Sequence, residues 1–129
     1  MPIFEMDIDA KTAWVNTGLS LDGTLPVTIQ AVSGTWTANP ATGLVDADGH
    51  DGLIAKPGYN LPGEVEGLLV GRIQATGGDV IFRVGKSHTI DSPPAGPLTL
   101  SINDDINAVY GEGFPDNEGS VHVRITIGT

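Results

Sequence analysis

The sequence has no cysteine, few basic residues and no long hydrophobic run. The lack of cysteine excludes disulfides, thiolate metal sites and a cysteine nucleophile. The apolar runs are only a few residues long, far short of the roughly 20 residues that cross a bilayer as a helix. The first ten residues contain three acids and no base, whereas a secretory signal begins with basic residues. We therefore expect a soluble protein that is either cytoplasmic or exported without such a signal.

Basic side chains are outnumbered, with 6 Lys and Arg against 16 Asp and Glu and a formal net charge of -10. A surface of this charge repels nucleic-acid phosphates and anionic lipids, so neither nucleic acid nor a membrane is an expected partner. Solubility is the ordinary explanation of an acidic excess. Cation binding is the alternative, and it depends on where the acids cluster.

Helical patterns are also lacking, because no segment has apolar residues at helical spacing. Instead, 18 glycines and 9 prolines separate short apolar segments, and a hydrophobic content of 40% is too high for a disordered chain. A length of 129 residues suits one domain with its own core. We predict an all-β protein, a small jelly-roll-like β-sandwich, as a single domain over residues 1–129.

Alternation with a period of two residues predicts where the strands lie. The clearest pattern is in residues 120–128, where apolar residues at 121, 123, 125 and 127 alternate with polar ones. Residues 67–74 are more continuously apolar, which is typical of a strand covered on both faces. Residues 39–63 lack alternation, and so long a loop in a compact domain is either functional or a misassigned element. The other predicted strands are residues 3–8, 14–21, 27–36, 80–84 (with Val80, Phe82 and Val84 on one face) and 98–102.

Two groups of oxygen-bearing side chains flank the connection between the last two predicted strands. Residues 103–107 read Asn-Asp-Asp-Ile-Asn, and residues 111–119 read Gly-Glu-Gly-Phe-Pro-Asp-Asn-Glu-Gly. Calcium takes about six to eight oxygen ligands from carboxylates, amide side chains and backbone carbonyls, which such a loop can supply. An acidic loop without an ion is the alternative, because Asp, Asn and Gly are also common turn residues.

A family resemblance includes these same residues. Residues 96–104, residues 114–120 and the alternating terminal strand together resemble the PA-IL (LecA)-like galactose-binding lectins. Segments 16–19, 27–29, 33–36 and 67–73 agree with that family as well. The resemblance extends from about Trp14 to the end of the chain and depends on the order and spacing of the segments.

The resemblance implies a lectin-type β-sandwich with one calcium ion at its edge, whose coordination is completed by sugar hydroxyls. It implies that Asp104, Asp116 and Asn117 are side-chain ligands and that Ala38 and Gly113 supply backbone carbonyls. The connection between Asp104 and Asp116 is several residues longer than in the best-known members. The sugar contacts implied are Asp104, Asp116, Asp105 through its backbone, and His50 supported by Asp48 or Asp51.

Three functions are compatible with these patterns. The favoured hypothesis is a calcium-dependent lectin that binds galactose or galactosides, is not an enzyme and gains avidity as a homo-oligomer. The alternative is a structural or interaction β-sandwich in which calcium stabilises the loop and no sugar binds. A hydrolase is disfavoured, because the adjacent Asp104 and Asp105 would point to opposite faces of a strand and no nucleophile elbow is present.

Other sites are disfavoured by spacing. An EF-hand beginning at Asp46 would require a glutamate where Pro57 stands, and no helices flank the segment. Three histidines without paired spacing are a weak signal for zinc. Trp14 and Trp36 are interpreted as packing residues, with sugar stacking as the alternative.

Overall fold

The computed structural model describes residues 2–106 and 113–128, so Asn107, Gly111 and Glu112 of the predicted calcium loop lie outside the described residues. The regular structure of the described ranges consists of strands and two short 3-10 turns, Pro40–Thr42 and Phe114–Asp116. No helix in these ranges has the length and hydrophobicity needed to cross a bilayer. The strands are β1 (Ile3–Asp9), β2 (Val15–Leu21), β3 (Val27–Thr37), β4 (Leu69–Ala75), β5 (Gly78–Arg83), β6 (Ser87–Ile90), β7 (Gly96–Ile102) and β8 (Glu118–Ile127).

The strands form two antiparallel sheets with the orders β1-β8-β3-β6 and β2-β7-β4-β5. A double sheet of eight strands is the arrangement of a jelly roll. The predicted all-β sandwich is therefore confirmed. β7 and β8, which flank the predicted calcium loop, belong to different sheets.

The terminal strand β8 has the alternation that its sequence predicts. Val121, Val123 and Ile125 are buried in the core, whereas the residues between them are half-exposed. The strand pairs with β1 on one side and with β3 on the other. This central position fixes the residues that immediately precede β8.

The inner strands of the second sheet are covered on both faces. In β7 the apolar residues Leu98, Leu100 and Ile102 are fully buried, and the polar residues between them, Thr99 and Ser101, are buried as well. The neighbouring strand β4 contains fully buried side chains on both faces as well, which confirms the prediction for this segment. The end of β7 is therefore as firmly held as the start of β8.

The predicted face of Val80, Phe82 and Val84 is not buried along its whole length, because Val80 is 43% exposed. β5 is an edge strand that pairs only with β4 in its sheet, and its first residues, including Val80, extend past the core. Phe82 packs against the core and Val84, which follows the strand, is buried. Sequence alternation alone does not show how far an edge strand extends past the layer that covers it.

The loop between β3 and β4 is irregular, as predicted for residues 39–63, and is fixed by polar contacts. Asn103, just after β7, accepts the Leu61 N–H at 2.8 Å and donates to the carbonyls of Leu61 and Val65, both at 3.0 Å. The buried indole of Trp36 donates to the Gly67 carbonyl at 2.7 Å. The loop is thereby held against the residues that follow β7.

Candidate metal and ligand site

Two chain segments bring the three predicted side-chain ligands of the metal close together. Asp104 lies two residues after the end of β7, and Asp116 and Asn117 lie in the turn that leads into β8. The buried ring of Phe114 belongs to the core cluster and anchors this turn. The charge of Asp116 raises the pKa of Asp104 and the Asn117 side chain lowers it, so the three side chains are neighbours.

Each of these three side chains has one buried oxygen without a hydrogen-bond donor. The atoms are Asp104 Oδ2, Asp116 Oδ1 and Asn117 Oδ1, and none has a partner among the described residues. Buried polar atoms are normally paired, and leaving one unpaired costs about 1–3 kcal/mol. Three unpaired acceptors in one cluster therefore indicate a place for a ligand that supplies positive charge.

The orientation of the Asn117 amide is set by a neighbouring backbone carbonyl. Asn117 Nδ2 donates to the Ala10 carbonyl at 2.8 Å, which places Oδ1 on the side away from Ala10. Two further bonds hold the turn against the segment that follows β1, because the Ala10 N–H donates to Gly119 at 3.1 Å and Lys11 Nζ donates to Pro115 at 3.2 Å. The free oxygen of Asn117 is thus fixed before any ligand binds.

Asp104 is fixed just as firmly. Its Oδ1 accepts the Asp105 N–H at 2.7 Å, and its own N–H donates to Asn60 Oδ1 at 3.1 Å. The Asn60 N–H returns a bond to the Asp104 carbonyl at 3.1 Å, and Asn60 Nδ2 donates to Ser101. These bonds leave the second carboxylate oxygen, Oδ2, available to a ligand.

The electrostatics of the cluster favour a cation. The pKa of Asp104 is raised to about 6, chiefly by burial and in part by the charges of Asp116 and Glu66, while hydrogen bonds from Asp105 and Asn117 oppose the rise. Ionised carboxylates crowded in a buried place are costly, and a divalent cation removes that cost.

The donor set consists of carboxylate and amide oxygens, which are the ligands that calcium prefers. No group of three or more His, Asp and Glu side chains in residues 2–106 and 113–128 has a metal-binding arrangement. The cluster contains two such side chains, Asp104 and Asp116, and its third member, Asn117, is an amide. The residues present fit calcium in their chemistry.

The predicted backbone ligands are Gly113 and Ala38. Gly113 is buried and immediately precedes the turn with φ 68°, a conformation that suits glycine. Ala38 is buried directly after β3. Asp105 is buried too, and its N–H donates to Asp104 Oδ1. It also pairs with Tyr59 in an isolated β-bridge. The ligand and sugar-contact roles of these residues stay predictions.

His50 is buried near the cluster and does not project freely into solvent. Its Nε2 lies 3.3 Å from Thr37 Oγ1 and 3.4 Å from Thr42 Oγ1, and its ring packs closely on Gly67. Burial lowers the pKa of His50, while the charge of Glu66 opposes this. A neutral imidazole at neutral pH follows, with one nitrogen shared by the two hydroxyls.

The two carboxylates named as support for His50 lie on the surface. Asp48 Oδ1 accepts the Lys86 N–H at 3.0 Å, and Asp48 Oδ2 is 3.7 Å from Lys86 Nζ. Asp48 therefore ties the loop to the start of β6. Asp51 is exposed.

Tyr59 and Glu66 form a pair beside the cluster that no pattern in the sequence indicates. The Tyr59 hydroxyl donates to Glu66 Oε1 at 2.7 Å. Burial raises the pKa of Tyr59, and the Glu66 hydrogen bond and the charges of Glu66, Asp104 and Asp105 raise it further. The same holds for Asn60. All three lie in or beside a loop without periodic pattern, where spacing carries no signal of contact.

No protein-family model matches the chain, and no curated protein matches its sequence. In three dimensions the chain is similar to a solved structure described as the EclA N-terminal domain, a PllA-like lectin. The two share 24% sequence identity at a TM-score of 0.67, over 95% of this chain and 94% of that chain. The similarity shows that this chain has the fold of that domain, which agrees with the expected lectin-type sandwich. The narrower resemblance to the PA-IL-like galactose-binding lectins stays a prediction.

Proposed function

We propose that the protein is a calcium-dependent lectin, a non-enzymatic protein that binds galactose-type sugars. The observation that carries the proposal is the cluster of buried acceptors without donors, Asp104 Oδ2, Asp116 Oδ1 and Asn117 Oδ1. The likeness of the fold to a PllA-like lectin domain supports a sugar as the ligand.

Three side chains would hold the ion, Asp104 and Asp116 through carboxylates and Asn117 through its amide oxygen. Ala38 and Gly113 would add backbone carbonyls. The ion held there would offer its remaining coordination positions to vicinal sugar hydroxyls. The carboxylates of Asp104 and Asp116 would at the same time accept the hydroxyl protons, in charge-assisted hydrogen bonds that fix the orientation of the sugar.

Calorimetric titration of methyl galactoside tests the proposal, first in excess calcium and then in chelator. We expect binding in calcium, none in chelator and none for Asp104→Asn in either condition. Asp22→Asn is the matched control, because Asp22 is an exposed turn residue whose contacts are with Thr24. This variant should bind as the wild type does.

Two results would contradict the proposal. Full binding in chelator would show that no cation takes part. A calcium-dependent rise in melting temperature, with no binding across a glycan panel, would instead indicate a structural sandwich stabilised by calcium. The expected homo-oligomer is tested separately by sedimentation equilibrium, because multivalency adds avidity without changing the single site.

A further inference from the structure

Glu66 and Tyr59 form a polar pair beside the cluster of Asp104, Asp116 and Asn117. The proposed function gives this pair no role. Glu66 is half-buried and accepts the Tyr59 hydroxyl at 2.7 Å through Oε1. Its charge acts on both Asp104 and His50. The carboxylate is therefore close to both the candidate ion ligand and the buried histidine.

The backbone on both sides of this carboxylate is fixed. The Glu66 N–H donates to the Leu53 carbonyl at 2.7 Å, and the Glu66 carbonyl accepts the His50 N–H at 2.8 Å. The next residue, Gly67, donates to the Asn103 carbonyl at 2.9 Å, one residue before Asp104. Tyr59, in turn, is paired with Asp105. The carboxylate is therefore preset in position, which is what a recognition group requires.

We propose that Glu66, positioned by Tyr59, is a specificity-determining residue of the sugar site that selects amino sugars over acidic sugars. The inference rests on the proposed function, because the same site must bind a sugar. With one oxygen engaged by Tyr59, the carboxylate can still accept a hydrogen bond from a sugar hydroxyl or ammonium group. A sugar carboxylate offers no donor and meets a like charge.

The charge of the whole site points in the same direction. Asp104, Asp105, Asp116 and Glu66 place four carboxylates in and beside the site, and one divalent ion compensates the charge of two of them. The remaining negative charge favours a ligand with a positive group and opposes a ligand with a negative one. The Glu66 carboxylate is positioned by a tyrosine hydroxyl, which donates to its Oε1.

The test compares methyl galactoside with its 2-amino and 6-amino derivatives and with the corresponding uronate, all in saturating calcium. The measured quantity is the ratio of the uronate Kd to the Kd of the tighter-binding amino sugar, because a ratio cancels differences in calcium loading. The wild type should favour the amino sugar. Glu66→Gln, which keeps the acceptor for Tyr59, should lower the ratio about fivefold, the effect of one charge in contact in water.

Glu64→Gln is the matched control, since Glu64 is two residues away and its carboxylate pairs with Arg83 at 3.0 Å. It should change the ratio less than twofold, although it removes the same charge from the chain. Tyr59→Phe keeps the charge and removes its positioning bond, so the ratio should fall by less than it does for Glu66→Gln. Melting temperatures in calcium verify that each variant is folded.

An unchanged ratio for Glu66→Gln, or a wild type that prefers the uronate, would overturn the role of Glu66 while leaving calcium-dependent sugar binding intact. An equal fall for Glu64→Gln would also overturn it, because the effect would then be one of net charge. A wild type that binds no sugar in calcium would overturn the proposed function and this inference together. The results therefore distinguish the two failures.

Discussion

Replacement of Asp104 by asparagine should change stability in opposite directions with and without calcium. In chelator, the Asp104 carboxylate is buried beside other acids and its pKa is raised to about 6 from an ordinary value of 3.8. Because the folded pKa lies above the unfolded one, ionisation opposes folding. This cost is absent below about pH 4 and fully present above about pH 6.

The size of the cost follows from the shift, which corresponds to about 3 kcal/mol before solvent screening and about 1–2 kcal/mol after it. Asp104→Asn removes the charge and keeps an oxygen that can accept the Asp105 N–H. In chelator at pH 7 we therefore expect the variant to melt about 3–8 °C above the wild type. In calcium the order should reverse, because the wild type gains the binding energy of the ion and the variant has lost a ligand.

Differential scanning calorimetry at pH 7 measures all four melting temperatures, and a second series near pH 4 should show the chelator difference disappear. An equal loss of melting temperature for Asp104→Asn in calcium and in chelator would contradict this prediction. It would mean that the carboxylate supports the fold through its hydrogen bonds and not through a cation.

Three further predictions concern the fold and the support of the site. Hydrogen bonds to two carboxylates of β1 raise the pKa of His122. The protonated histidine therefore adds stability below about pH 6.5, and this stability is lost as the pH rises through the folded pKa. The melting temperature of the wild type minus that of His122→Gln should fall to near zero by pH 9. Gly34→Ala should lower the free energy of unfolding, measured in urea, by about 3 kcal/mol or more, because Gly34 has φ +98° and an added Cβ would collide with the β8 backbone. The control is Gly18→Ala, which should cost about 1 kcal/mol, because Gly18 has φ +77° but open space around it. Asn60→Ala should cost about 1–3 kcal/mol and weaken calcium affinity, since Asn60 holds Asp104 through side-chain and backbone bonds; calcium affinity equal to that of the wild type would contradict that role.

Much of the fold could be predicted because the sandwich has a strong period-two signal where strands are central. β8 and β7 illustrate this, since each presents buried apolar residues at every second position. The signal failed at the sheet edges. β5 extends past the core at Val80, and β6 has four residues with Ile90 as its one apolar side chain, too few for a periodic pattern.

The acidic groups of the candidate site could be predicted because they adjoin those strong strands. Asp104 and Asn117 lie next to strands whose bounds were readable, so their convergence follows from the topology. Glu66 and Tyr59 could not be predicted, because their contact depends on how an irregular loop folds back on the residues after β7. The path of this loop is set by hydrogen bonds of the Asn103 side chain and not by local backbone preferences.

The cation site itself can be observed in a crystal structure of the protein grown in calcium. We expect an ion with Asp104 Oδ2, Asp116 Oδ1 and Asn117 Oδ1 all at about 2.3–2.6 Å, the range of calcium–oxygen bonds in proteins. A structure in calcium with no ion in contact with these three oxygens, or with the ion bound elsewhere, would contradict this expectation.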